Sequence, residues 1–274
     1  MDDTVMAVTE RRPKKQNREG RMSLGEHLVE LRKRLFYSAI GIIVGMVAGF
    51  IASEWIIDAM SAPILVIADD RGQAFLNFTN VTSAFDLRMK IALTTGVVLS
   101  SPVWLYQIWA FLVPGLTRKE LKYAVGFFAT AVPLFLAGCY AGWFVLPHIV
   151  ELMLGFTPAA AANFLDATTY YDFVLKLVLA VGVAFVLPVF LVLLNFVGVL
   201  SAAAIIKAWR VAILVIVLFT AIATPAADIV SMFVLAIPMV VLYFAAYGVA
   251  WLHDRRAARR QLRIDAELGS KGLV

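Results

Sequence analysis

The sequence predicts an all-α integral membrane protein, and three observations carry that prediction. Of 274 residues, 62% are hydrophobic and only 16% charged, where a soluble domain carries about a quarter. A mean hydropathy of +0.85 is more than one soluble core can absorb. The apolar runs also recur at lengths near those of bilayer-crossing helices, without the ten-residue alternation of an outer-membrane barrel.

Residues 1–22 are polar and basic. They lack the early apolar core and small-residue cleavage site of a secretory signal, so they are expected to be a disordered tail. The pair Arg11–Arg12 sits in "RRPKKQ", which offers neither the consensus nor the hydrophobic segment of an export signal. From Ser23 the pattern changes. In "SLGEHLVELRKRLF", Ser23 suits an N-cap, Glu26 its capping partner, and Leu24, Leu28, Leu31 and Leu35 fall on one face. That predicts an amphipathic helix at the membrane surface. Glu30 is left over from the capping account; it can pair with Lys33 or Arg34.

Six transmembrane helices are expected. The first covers 35–57, with Gly41, Gly45 and Gly49 spaced by four so that a neighbouring helix can approach closely. The second covers 89–111, the third 123–146 and the fourth 173–196. A fifth, 211–224, spans about 21 Å at 1.5 Å per residue, short of a hydrocarbon core near 30 Å. The sixth covers 229–252 and carries Pro238. Only "PAAD", 225–228, separates the last two, so they must be antiparallel neighbours with a recessed turn and local bilayer thinning.

Charge orients the set. If the N-terminus is cytoplasmic, nine Lys or Arg in 1–34, three in 118–122, Lys207, Arg210 and six beyond residue 252 lie inside, which accounts for 20 of the 24 bases. The opposite side is acid-leaning. Both termini are therefore expected in the cytoplasm, and the formal charge of +5 reflects topology with no nucleic-acid partner. The domain division that follows is a basic tail over 1–22, a six-span body over 23–252 and a charged cytoplasmic tail over 253–274.

The two outer connections, 58–88 and 147–172, hold apolar residues too sparse for another span and too dense for a solvated loop. They are expected to form short interfacial helices over the bundle on the external side, turned or started by Pro63, Pro147 and Pro158.

No enzyme chemistry or cofactor site is legible. Cys139 is the only cysteine and sits in "LFLAGCYAGWF", where it fits a small buried hydrophobe. His27, His148 and His253 are far apart, with no HExxH spacing, and no glycine-rich phosphate loop occurs. The unexplained groups are acids among bases. In "FLVPGLTRKELKYAVGF", Arg118, Lys119 and Lys122 serve orientation, to which carboxylates contribute little, so Glu120 is surplus. Glu120 and Glu30 are each suited to accept an arginine from another polypeptide, where bidentate geometry makes the contact selective.

An ordered set of motifs closely resembles the TatC family, the receptor subunit of the twin-arginine protein translocase. These are "HLVELRKRL", "SAP" at 61–63, "SPVWLYQIWAFLVPGLTRKE", "FVLPVF", and "ATPAAD" followed by "AIPM", together covering nearly all of the chain except its tails. The resemblance implies a cup-like six-helix receptor in the bacterial cytoplasmic membrane that recognises the paired arginines of signal peptides on folded cargo proteins. Translocation would be driven by the proton-motive force. By motif match it implies that Glu120 is the chief carboxylate for those arginines, with Glu30, Arg32 and Phe111 completing the surface, and that Pro63 matches a position needed for a working translocase. It further implies partners: single-span TatA-like subunits, a TatB-like subunit where present, other copies of the chain, and membrane lipid.

Two departures stand out. Asp228 follows "TPAA" where many members read "TPPD", and Val186 occupies a place that often holds Glu or Gln. Glu151, near the outer end of the third span, is a candidate to supply the missing carboxylate, since an acid near the apolar zone is costly and usually has a role. The competing function is a secondary ion or solute transporter, which would show paired acids or interrupted helices near the bilayer centre, preferably in repeated halves.

Overall fold

The computed structural model describes residues 24–71, 74–78, 80–112, 120–155, 163–225 and 228–270. Among these, the chain folds as a helical membrane bundle: α1 Leu24–Ile51, α2 Ser53–Arg71, α3 Ser83–Leu99, α4 Ser101–Leu112, α5 Glu120–Gly155, α6 Ala167–Phe196, α7 Ala202–Lys207, α8 Trp209–Ala223 and α9 Ile229–Ser270. Two four-residue strands, β1 Ala74–Asn77 and β2 Asn163–Asp166, join the outer connections.

The predicted surface helix and first span are one element. Nothing in "LRKRLF" breaks a helix, so α1 runs unbroken from Leu24 and ends at Ile51, six residues earlier than the sequence suggests. Ser23 and the side chain of Glu26 lie outside the described residues. The glycine spacing behaves as predicted: a Cβ on Gly45 would sit 2.7 Å from the Gly96 carbonyl oxygen of α3, and one on Gly49 would sit 2.8 Å from that of Ala92. The two backbones touch, and only glycine permits that approach.

The second span is broken rather than straight. α3 and α4 meet at Ser100 with a bend of 57°. Pro102 has no N–H and disfavours helical geometry at Ser101, and it is tolerated because it falls in the first turn of α4. The kink frees the Val97 carbonyl, which accepts from the Trp104 indole nitrogen at 2.9 Å. Four helices, α1, α5, α6 and α9, are long and apolar enough to cross a bilayer, and the bent pair makes a fifth. α8, where a short fifth span is expected, is an apolar helix of 15 residues, about 22 Å, and falls below the length of the other spans among the described residues. It packs beside α9, with Ile216 and Phe219 against the same core as Leu235 and Met239.

The outer connections differ from expectation. α2 is a 19-residue helix with Pro63 inside it, so this proline neither starts nor turns the segment; its side chain lies outside the described residues. Met60 of α2 packs with Leu87, Ile91, Ile149 and Tyr171, and its carbonyl accepts from the Tyr170 hydroxyl at 2.9 Å. The second connection forms no separate helix among the described residues. α5 carries its apolar periodicity straight through Pro147 to Gly155, and β2 then pairs parallel with β1, from Ala74 opposite Asn163 to Asn77 opposite Asp166. Pro158 lies outside the described residues. Asp166 then caps α6 by accepting from the Thr169 N–H at 2.9 Å. At this acidic end Lys90 bridges Asp86 and Asp172 at 2.8 and 3.0 Å.

The opposite, basic end holds the start of α1, the ends of α4 and α6, and the last turns of α9. There α9 continues as helix to Ser270, so the charged segment after residue 252 is an extension of the last span, built from the strong helix formers Ala, Arg, Gln and Leu.

Candidate functional site

The residues singled out for recognition converge on the basic end. The ring of His27 in the first turn of α1 stacks on Phe111 in the last turn of α4, with centroids 4.4 Å apart and planes at 16°. One turn further along α1, Glu30 is drawn back onto its own helix. Its Oε1 accepts from both the Nε of Arg34, at 2.9 Å, and a terminal nitrogen of the same guanidinium. The carboxylate is four-fifths buried, with 19% of its side chain exposed, so the pair is better shielded than a surface ion pair.

The second oxygen of Glu30 has no such partner. Oε2 is buried without a hydrogen-bond partner among the described residues. A carboxylate accepts up to four bonds, and a buried oxygen without one carries a desolvation cost of about 1–3 kcal/mol. An incoming guanidinium would supply the missing donors. Arg32, on the same helix, is exposed. The sequence missed a further group here: Trp109 of α4 is buried, and its indole nitrogen also lacks a partner among the described residues.

Glu120 opens α5, where a carboxylate is favoured by the helix dipole. Its side chain, the loop 113–119 with Arg118 and Lys119, and the side chain of Lys122 lie outside the described residues. The structure therefore brings together Glu30 and Phe111 through α1 and α4, and places only the backbone of Glu120.

Three other candidates stand apart. Asp228 is 1% exposed and caps α9, its Oδ1 accepting from the Ser231 N–H at 2.9 Å. Its Oδ2 is buried with no partner among the described residues. Thus the longer "TPAAD" spacing still delivers the acid to the helix start. Val186 is buried in an apolar cluster with Leu105, Phe135 and Cys139. The α5 residue nearest its level is close to Gly138, whose added Cβ would sit 2.8 Å from Phe185. Glu151 is exposed on α5, 13 residues or about 20 Å further along, so the two positions do not share a cavity.

A hydrogen-bond clamp that sequence reasoning did not find lies beside α7. Asp254, two residues past the apolar part of α9, accepts from the Ala202 N–H at 2.8 Å and from the Asn195 amide at 2.9 Å. The same amide donates to the Leu200 carbonyl at 2.9 Å. Burial pushes the Asp254 carboxyl up, but the Ala202, Asn195 and His253 contacts outweigh it and hold the group below its ordinary value. The clue was an acid among the bases of "WLHDRR", which composition alone gives no reason to separate from its neighbours.

Comparison with known proteins agrees with this architecture. A family model described as Sec-independent protein translocase protein (TatC) matches residues 26–238. The chain is 45% identical over 244 residues to the TatC of Xylanimonas cellulosilytica, covering 89% of this chain and 88% of that one. It is 38% identical over 255 residues to the TatC of Rothia mucilaginosa, covering 92% and 87%. A crystal structure described as the twin arginine translocase receptor TatC superposes with a TM-score of 0.68 at 31% identity, covering 82% of this chain and 98% of that one. Matched by the family model over residues 26–238 and by such relatives along most of their length, the chain belongs to the TatC family of multi-pass membrane proteins of Tat-type protein translocation.

Proposed function

We propose that this chain receives twin-arginine signal peptides at its basic end and, driven by the proton-motive force, takes part in moving folded proteins across the bacterial cytoplasmic membrane. Both termini then lie in the cytoplasm, the side to which 20 of the 24 Lys and Arg are assigned. Single-span TatA-like subunits, a TatB-like subunit where present, and further copies of the chain are its working partners. No covalent step is required of it.

The observation that carries the proposal is the buried Oε2 of Glu30, without a partner among the described residues, close to the stacked His27 and Phe111. One oxygen of this carboxylate is already organised by Arg34, and the other has no donor among the described residues. Glu120 at the start of α5 supplies the second carboxylate, and Arg32 flanks the surface. Two planar guanidiniums in a row match two carboxylates better than ammonium groups do, because each offers a fork of donors. Pro63, Asp228 and Glu151 lie away from this surface and act, on this proposal, in later steps or in assembly.

The helix break at Ser100 does not favour a transporter. The Val97 carbonyl it frees is used within the protein, accepting from the Trp104 indole, although the buried Ser101 hydroxyl beside it has no partner among the described residues.

The test is binding of a labelled signal peptide to the chain in nanodiscs. The RR peptide should bind at least tenfold tighter than its KK counterpart, and Glu30→Gln or Glu120→Ala should each erase most of that difference. Equal affinity for RR and KK would overturn the proposal.

A further inference from the structure

We propose that the chain carries a binding site for an anionic phospholipid of the cytoplasmic leaflet, with the lipid phosphate held by Arg256 and Arg260 and one acyl chain lying between α5, α6 and α9. The leaflet follows from the orientation given above; the site itself does not depend on signal-peptide binding.

Two adjoining concavities carry this inference. At the basic end, a cleft of about 240 Å³ is lined by Arg256 and Arg260 above, with Phe196, Val249 and Leu252 below. Phe196 and Val249 also line a second, strongly apolar groove of about 390 Å³, which continues past Phe127, Thr130 and Ala246 to Leu134 and Pro188. The two therefore form one path, charged at its mouth and apolar along its length. That is the chemistry of a phospholipid, not of a free anion or a fatty chain alone.

Charge and depth both support a lipid. Arg256 and Arg260 stand one helical turn apart, and among the described residues neither has an ion-pair partner. Asp254, two residues before Arg256, is engaged by Ala202 and Asn195. Their level is that of the membrane surface: on the same side Arg255 lies 5.0 Å over the ring of Trp251, and Arg210 lies 5.5 Å over Trp209, as aromatic and basic residues do at an interface. From Phe196 to Pro188 along α6 the groove descends about 12 Å, most of one leaflet's roughly 15 Å of hydrocarbon. Beyond it α5 and α6 close to backbone contact, where a Cβ on Gly138 would sit 2.8 Å from the Val181 carbonyl oxygen. A partner's transmembrane helix would need a groove through both leaflets. Basic pockets between membrane helices are known takers of anionic headgroups.

The full chain, purified in detergent, is exchanged against phosphatidylglycerol or phosphatidylcholine, and retained lipid is counted by native mass spectrometry. Phosphatidylglycerol should be retained about tenfold over phosphatidylcholine, and Arg256→Gln with Arg260→Gln should remove that preference. Ala245→Phe, which obstructs the apolar groove, should lower phosphatidylglycerol retention severalfold with both arginines intact. Arg255→Gln with Arg259→Gln removes the same charge outside the cleft and should keep the preference. Equal retention of the two lipids, equal loss in both arginine pairs, or displacement by millimolar glycerol phosphate would overturn the site. So would a photocrosslinker at residue 245 that captures a protein in native membranes instead of lipid.

Discussion

His27 and Phe111 stack face to face at 4.4 Å, pinning the first turn of α1 to the last turn of α4. Glu30 lies one turn along the pinned helix, so its position relative to α4 depends on this contact. An aromatic pair is worth about 0.5–1.5 kcal/mol beyond its burial. Phe111→Ala should therefore weaken RR-peptide binding by roughly 2- to 10-fold. His27→Ala in the Phe111→Ala background should add little, because the two act as one contact. Additive losses in titrations of the four proteins would show that the rings act separately.

If Glu30 receives a signal-peptide arginine as proposed, Arg34 competes for it, since it already occupies Oε1. An i,i+4 pair on a helix is worth about 0.3–0.5 kcal/mol. Arg34→Gln should thus strengthen RR-peptide binding by roughly twofold, whereas Glu30→Gln should lose at least tenfold. The two substitutions change net charge in opposite directions. If long-range charge alone governed affinity, both shifts would vanish at high salt, which a titration at two ionic strengths would reveal.

How much of this was legible depended on where the cause lay. The membrane class, the glycine face of α1 and the buried Cys139 follow from local composition and spacing, and the structure has them. The bend at Ser100 was not read, although Pro102 was in view, because whether a proline interrupts a span depends on its place within the turn. Strands β1 and β2 were invisible: four residues each, they pair across more than 80 positions of sequence. At the site, Glu30 was legible as an acid outside the capping account and within pairing reach of Arg34, the pair the structure makes. Trp109 and Asp254 did not, since their significance rests on partners supplied, or withheld, by other helices.

The α1–α3 contact should be intolerant of any side chain at its closest point. A Cβ on Gly96 would lie 2.7 Å from the Met46 nitrogen and 2.8 Å from the Ile42 carbonyl oxygen, both backbone atoms that cannot rotate away. Gly96→Ala should therefore destabilise by about 1–3 kcal/mol through overpacking. Gly248→Ala is the control, because nothing lies within 4 Å of its added Cβ. It should be neutral or raise the thermal midpoint, through the better helix propensity of alanine. A Gly96→Ala midpoint matching the wild type would remove the close-packing claim.

Asp254 joins α9 to Asn195 and to the start of α7, so its loss should loosen the basic end. Two hydrogen bonds at about 1 kcal/mol each, lessened by partial solvent exposure, give about 1–2 kcal/mol for Asp254→Ala at neutral pH. The sign of the pH dependence follows from a carboxyl held below its ordinary value. Its charged form contributes fully above the unfolded value near 3.9, and the contribution is lost as pH falls through the lower folded value. The gap between wild type and variant should then narrow in acid. A gap that widens below pH 4 in thermal melts would contradict the assignment.

Trp104 is the last device to test, because it makes the broken second span tolerable. Without its indole donor, the Val97 carbonyl would keep only the long 3.4 Å bond from the Ser100 hydroxyl at the bend. Trp104→Phe keeps most of the ring, including the packing against Phe135 at 5.3 Å, and removes only the N–H. The cost should be about 1–2 kcal/mol, somewhat more than the mean for a membrane hydrogen bond because the carbonyl has no helical alternative. Pro102→Ala should partly rescue it, since an alanine there releases Ser101 from the proline's restriction and lets the helix straighten, bringing the Ser101 N–H toward the Val97 carbonyl. Thermal melts of the single and double variants give the result directly: rescue supports the indole as a substitute for the missing ladder bond, whereas a double variant worse than either single would mean the bend itself is what the bundle requires.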